Sequence, residues 1–208
     1  QAEAKRLEIE NIGNEAIAQI QHKRTLERLR PVYNSAKKKQ FLNFGIFTEP
    51  KKSVSVDFVR IHPIRHKKPE FYFEGMGSTY GFLQRLMMNE SLDPFKFLLD
   101  KDREHYFKHT KNIQWKAKSK QVSLSTMRQY LYPSEATLIG PGRKDNEKCA
   151  ILIEGGRILG YTYFYLATDG ANRPKLKKRM VHLEHDAYAA GIIHHFYQKG
   201  YLEELVTD

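Results

Sequence analysis

With only one cysteine, Cys149, in 208 residues, the chain can close no internal disulfide, and a cross-linked mini-fold is excluded. This usage fits a reducing compartment and sets the expectation of a cytoplasmic protein. Cys149 lies in the apolar run CAILI, so it reads as a core thiol rather than a nucleophile. No stretch reaches the roughly 18 apolar residues that a membrane helix needs. The opening residues 1–10, QAEAKRLEIE, have no apolar signal core and no starting Met, as a fragment or a processed chain would. No glycine-rich dinucleotide loop follows a strand, and no Ser-His-Asp signature or paired-carboxylate pattern stands out. The run Gly140-Pro141-Gly142-Arg143-Lys144 lacks the glycine spacing and Lys-Ser/Thr ending of a nucleotide-binding P-loop. It reads as a basic hairpin tip, from which Arg143 and Lys144 can reach a phosphate backbone.

Basic charge is present in excess. Thirty-five Lys and Arg face 24 Asp and Glu, giving a formal net charge of +11. Such a surface attracts polyanions, most simply nucleic acid. Membrane surface is the weaker partner, because no basic helix carries a large apolar face. The chain is 40% hydrophobic and 28% charged, as soluble globular proteins are. At this length it can bury roughly 70% of its unfolded surface, so folding requires no metal.

The strongest nucleic-acid candidates are basic residues interleaved with an aromatic: Lys37, Lys38 and Lys39, residues 65–68, then Lys111, Trp115, Lys116, Lys118 and Lys120. They suit a backbone groove with one stacking platform and predict salt-sensitive, largely sequence-independent binding. Tyr161, Tyr163 and Tyr165 alternate along one predicted strand and share a face. That row can stack bases, or it can pack under the last helix with its hydroxyls at the rim. His182, His185 and Asp186 have a spacing open to metal binding, but Asp186 also reads as a helix cap. Of His194 and His195, at most one could join them. The reading is therefore no metal and no cofactor in this chain.

The pattern predicts an α+β protein in three stretches: 1–35, 41–132 and 135–208. The first holds a short strand at 6–10 and a helix at 15–29. Asn14 caps that helix, and the residue before Pro31 stops it. The second holds strands at 41–47, 54–61 and 70–73, the middle one with Val54, Val56, Phe58 and Arg60 on one face. Helices follow at 79–88, capped by Ser78, and at 94–107. A short helix capped by Ser123 or Ser125 ends near Pro133. The third stretch is a three-stranded antiparallel meander at 136–139, 149–154 and 157–166, turning at Gly155-Gly156. A polar loop at 168–178, with room for one turn of helix, and a helix at 187–199, capped by Asp186 and closed by Gly200, complete it.

The pieces Asn14-Glu15, Ile17–Ile20 and Pro31-Val32-Tyr33-Asn34 resemble the closing strand and last helix of the GIY-YIG nuclease domain of UvrC-like proteins. The later runs NFGIF, GRKDNEKCAILIEGGRILGYTYF and DAYAAGIIHHFYQKGYLEEL are similar to the region that follows this domain. The proteins concerned are bacterial ones that join a DNA polymerase III epsilon-type exonuclease to a UvrC-like half. The resemblance implies a bacterial DNA repair or proofreading nuclease, with its divalent metal in a domain upstream. The motifs that name the family are absent here, and its metal-binding glutamate falls on His22. Imidazole does not replace a carboxylate for a hard cation. The cysteine cluster found in relatives has no counterpart in residues 92–115. The expected function is thus DNA binding or scaffolding, non-catalytic by itself. Two alternatives stand beside it. One is a docking module that uses the tyrosine face and the apolar last helix. The other is a divergent metal-dependent endonuclease that uses His22, Tyr33 and Asn34.

Overall fold

A computed structural model describes residues 9–31, 41–49, 55–56, 58–64, 67–98, 104, 121–169 and 172–205. The N-terminal helix α1 is Glu15–Leu29, as its cap predicts. Asn14 Oδ1 accepts from the Ile17 amide at 3.2 Å, and Glu15 sits at the positive end of the helix dipole. Proline at 31 denies Arg30 the right-handed helical region, and Arg30 ends the helix in the left-handed one at φ 43°. Residues 9 and 10 are not strand, so that part of the expected 6–10 strand is absent. Residues 6–8 lie outside the described residues.

The next stretch builds a small sheet. Strands β1 (Phe44–Glu49), β3 (Phe58–Pro63) and β4 (Phe71–Phe73) pair antiparallel in the order β3-β1-β4. A two-residue strand β2 (Ser55–Val56) pairs instead with β5 (Val122–Ser123). The expected single strand at 54–61 is therefore two. Its core face also differs: Val56 is buried, but beyond residue 57 the buried side chains are Val59 and Ile61 rather than Arg60. Position 54 lies outside the described residues.

Helix α2 spans Met76–Asn89, three residues earlier than Ser78 as a cap implies. Gly75 is the N-cap, and the Ser78 hydroxyl reaches back to accept from its amide at 3.3 Å. Phe82, Leu83, Leu86 and Met87 are fully buried at helical spacing. Helix α3 is only Pro94–Phe97, because Leu98 is extended and bridges to Val59; Glu104 is helical again. Ser123 caps α4, Leu124–Gln129, accepting from the Thr126 amide.

The C-terminal meander is the centre of a larger sheet. Strands β6 (Ala136–Pro141), β7 (Glu147–Glu154) and β8 (Arg157–Tyr165) are joined by β9 (Val181–His182) and β10 (Glu203–Glu204). The order is β10-β6-β7-β8-β9, antiparallel throughout. A bulge at Leu152/Ile153 lets Ile158 and Tyr161, three residues apart, face the same core. The stretch at 168–178, where a loop with one turn of helix was expected, carries two short helices, α5 (Leu166–Asp169) and α6 (Arg173–Lys178). Asn172 caps α6, and proline stands in its first turn. Helix α7, Ala187–Gln198, starts at the predicted Asp186 cap, and Gly200 follows it at φ 73°.

The three predicted stretches do not have separate cores. One cluster runs from Ile17 on α1 through Ile46, Phe82 and Ile151 to Ile193 on α7 and Leu202. A smaller cluster lies on the opposite face of the five-stranded sheet: Ala150, Leu152 and Phe164 beneath Leu176 of α6. No helix among the described residues is long and apolar enough to cross a membrane.

Candidate nucleic-acid interface

The inner face of the five-stranded sheet carries the tyrosine row, and it is occupied. Tyr161 is 6% exposed, and its hydroxyl bonds the Gln21 amide of α1. The Tyr163 hydroxyl donates to the Ile12 carbonyl. The two rings meet edge to face, 5.7 Å between centroids. Burial raises both phenols, Tyr161 and Tyr163 alike. The cover is α1 with the 9–14 segment, where the last helix was one expectation. Residues 9–14 are held by backbone geometry as well. Gly13 has φ 67°, and a Cβ there would lie 2.2 Å from the Gly142 oxygen. Bases cannot stack on this face while the segment is in place. Only Tyr165, at the strand end, is exposed.

Arg143 is engaged in the same junction. Its Nη2 donates to Glu147 Oε1 at 2.7 Å, its Nε to Oε2 at 3.1 Å, and its backbone amide to Oε2 at 2.7 Å. Its guanidinium lies 4.1 Å from the centre of the Tyr163 ring. The Glu147 side chain is 4% exposed, and the Arg143 hydrogen bonds hold its carboxyl below the usual range. A bidentate, stacked guanidinium has its charge matched already, so Arg143 is a structural clamp rather than a free phosphate contact. Lys144, at the hairpin tip, is exposed.

The outer face is different in kind. Leu176 anchors α6 over Ala150, Leu152 and Phe164. Thr162 Oγ1 donates to the Arg179 carbonyl at 3.3 Å. Five of the seven residues 173–179 are cationic. Three are paired: Arg173 with Glu135 and Glu154, Lys177 with Glu154 at 2.9 Å, and Arg179 with Asp169 at 3.1 Å. Lys175 and Lys178, one turn apart, are exposed and close no salt bridge among the described residues, although Lys175 stands near enough to Asp169 to help hold its carboxyl below the usual range. With Arg179, Thr168 and Asp169 they line an open groove of about 310 Å³. Strand alternation puts Lys148 on this same face, in register with Phe164. Beside Lys148 a second shallow depression of about 260 Å³ includes Tyr201, which is 64% exposed. Exposed lysines thus line the outer side of one sheet, with Asp169 and Glu203 among them, and at its edge the exposed Tyr201 ring keeps one contact, with Phe196 at 5.9 Å between centroids.

The run RPKLKKR at 173–179 carried this signal in the sequence, but it reads as a polar loop unless Leu176 is recognised as the one residue pinning it down. Lys37, Lys38, Lys39, Lys111, Trp115, Lys116, Lys118 and Lys120 lie outside the described residues, as do Tyr33, Asn34 and residues 65–66. Lys67 and Lys68 are exposed. His22 is exposed on α1, and no group of three or more His, Cys, Asp or Glu among the described residues could hold a metal. His185 accepts from the Ile158 amide at Nδ1, and Asp186 accepts from the Ala189 amide, so the 182–186 run serves the fold. The Cys149 thiol is buried in β7, which pushes it up to about 12 and makes it inert. No protein-family model, curated protein or solved structure matches this chain.

Proposed function

We propose that this chain is a DNA-binding portion of a DNA repair or proofreading nuclease polypeptide, without a complete catalytic site in these residues. The observation that carries the reading is the outer face of the five-stranded sheet, where the exposed Lys148, Lys175 and Lys178 close no salt bridge among the described residues and Lys148 lies beside the exposed Tyr201 ring. Lysines of this kind neutralise phosphates and release counterions, and an exposed ring can stack a base. No side-chain arrangement there reads base edges, so the binding is largely sequence-independent. The resemblance to UvrC-like proteins and the +11 charge point the same way.

The docking-module alternative needs the tyrosine face and the apolar side of α7 as a free surface. Both are interior: Tyr188, Ile192, Ile193 and Phe196 are buried along with Tyr161. The test is binding of the purified chain to labelled single- and double-stranded DNA from about 50 to 200 mM salt. Affinity should fall steeply across that range. Absence of binding at the lowest salt would remove the proposal.

A further inference from the structure

A second cavity owes nothing to the basic outer face. It is a cleft of about 500 Å³ between the N-terminus of α2 and the C-terminal half of α7, the size range of small-molecule sites. Its inner wall is His194, which is 3% exposed. A carbonyl can only accept, so the 2.5 Å contact of Nδ1 with Leu131 O fixes the proton on Nδ1. The ring's Nε2 is then a lone pair, with no partner among the described residues, in a side chain lining the cleft. Burial pushes the imidazole down to about 4, so it is neutral and an acceptor at neutral pH.

The opposite wall is backbone. Gly75 caps α2 without a side chain, and the first turn contains no acidic residue. The amides of Met76, Gly77 and Ser78 have no intrahelical acceptor by helix geometry. A Cβ at Gly75 or Gly77 would meet nothing within 4 Å, and neither has positive φ. Neither packing nor conformation requires glycine there, and glycine inside a helix costs up to about 1 kcal/mol relative to alanine. What glycine does provide is open space beside the first turn, where Gly77 and Ser78 line the cleft.

Two cations complete the wall. Arg85 extends back toward Gly81, where its Nη1 would lie 3.9 Å from a Cβ. Neither Arg85 nor Lys199 has an acidic partner among the described residues. Partial burial lowers the Arg85 guanidinium, the mark of a cation without its counter-ion. At the rim Glu74 sits 3.4 Å from His195 and offers carboxylate oxygens.

We infer that this cleft binds a hydroxylated phosphomonoester, such as a sugar or nucleoside monophosphate. The α2 amides with Arg85 and Lys199 hold the phosphate, and His194 Nε2 with Glu74 receives hydroxyl donors. Anion binding at a helix N-terminus is ordinary physics. The second ring nitrogen of His194, left without a hydrogen bond among the described residues in a buried side chain that lines the cleft, is what gives this terminus a second, acceptor half.

The test is calorimetric titration of the full chain with ribose 5-phosphate and adenosine 5′-monophosphate, with inorganic phosphate and ribose as separate arms. The phosphomonoesters should saturate one site, at least about 10-fold tighter than phosphate or ribose alone. Two variants keep the fold. Arg85→Ala removes a side chain that lies outside the hydrophobic core. Gly77→Asp places an acid in the first helical turn, which favours the helix but repels an anion. Each should weaken binding by about 10-fold or more. Lys175→Glu with Lys178→Glu should leave it unchanged, which separates this site from the outer face. No saturable binding, equal binding of inorganic phosphate, or full binding by both cleft variants would overturn the inference.

Discussion

The two faces of the five-stranded sheet are built from one set of strands and do opposite things. The inner face holds the residues that look most functional in the sequence: Tyr161, Tyr163 and, clamped beside them, Arg143. Both phenol hydroxyls and the Nε and Nη2 of Arg143 have partners inside the fold. The outer face holds a run of lysines around a single buried leucine, and two of those lysines close no salt bridge among the described residues. An aromatic row in a strand is ordered by what covers it. A lysine is available to a ligand when no carboxylate stands within reach. The teaching of the contrast is that partner accounting, rather than residue type, distinguishes a working surface from a packed one.

The comparison can be broken at several points, ordered here by expected effect on stability. Gly13→Ala forces a side chain onto a left-handed backbone and into the Gly142 carbonyl, so it should cost about 3 kcal/mol in urea unfolding. A similar loss, also about 3 kcal/mol, should be driven by pH through His194. Its folded value is about 4, below the ordinary 6.5, so the unfolded chain binds the extra proton. The stabilisation is full above pH 6.5 and disappears as pH falls toward 4. Unfolding midpoints measured across that window should drop, and His194→Gln should flatten the curve.

Glu147→Gln weakens the clamp on Arg143 and should cost about 2 kcal/mol at neutral pH. The Glu147 carboxyl is depressed, so its contribution is present above the ordinary carboxylate value and lost as pH falls through the folded one. The difference between wild type and variant should therefore vanish in acid. Tyr163→Phe removes one hydroxyl donor to Ile12 and should cost about 1 kcal/mol, seen as a small midpoint shift. Lys175→Glu with Lys178→Glu should leave stability within about 0.5 kcal/mol, the usual range for surface changes.

Much of the fold was legible. The N-caps Asn14 and Asp186, the stop before Pro31 and the Gly155-Gly156 turn each act through their own local chemistry and stand where the sequence puts them, and of the two serines open as a cap, Ser123 and Ser125, the helix uses Ser123. The central meander followed from the apolar run at 149–154, the alternation of Tyr161, Tyr163 and Tyr165 and the two-glycine turn between the strands. What failed was non-local. The edge strands β9 and β10 are two residues long, too short to show a period, and exist because β8 and β6 offer free backbone groups. The end of α3 at Phe97 is set by the bridge of Leu98 to Val59, which no local pattern announces. The early start of α2 was missed because Gly75 caps without a side chain. The candidate site was less legible than the fold. Strand periodicity puts Tyr161 and Tyr163 on one face, but not which element covers it. The pairing of Arg143 with Glu147 depends on the hairpin closing.

The most direct measurement is the salt dependence of DNA affinity for three proteins: wild type, the Lys175→Glu/Lys178→Glu outer-face variant, and the Tyr163→Phe inner-face variant. The account predicts equal slopes of log affinity against log salt for wild type and Tyr163→Phe. For the lysine variant it predicts a slope shallower by about 2, as for two lost phosphate contacts. An unchanged slope in the lysine variant, with a loss of binding in Tyr163→Phe, would contradict it and return the function to the inner face.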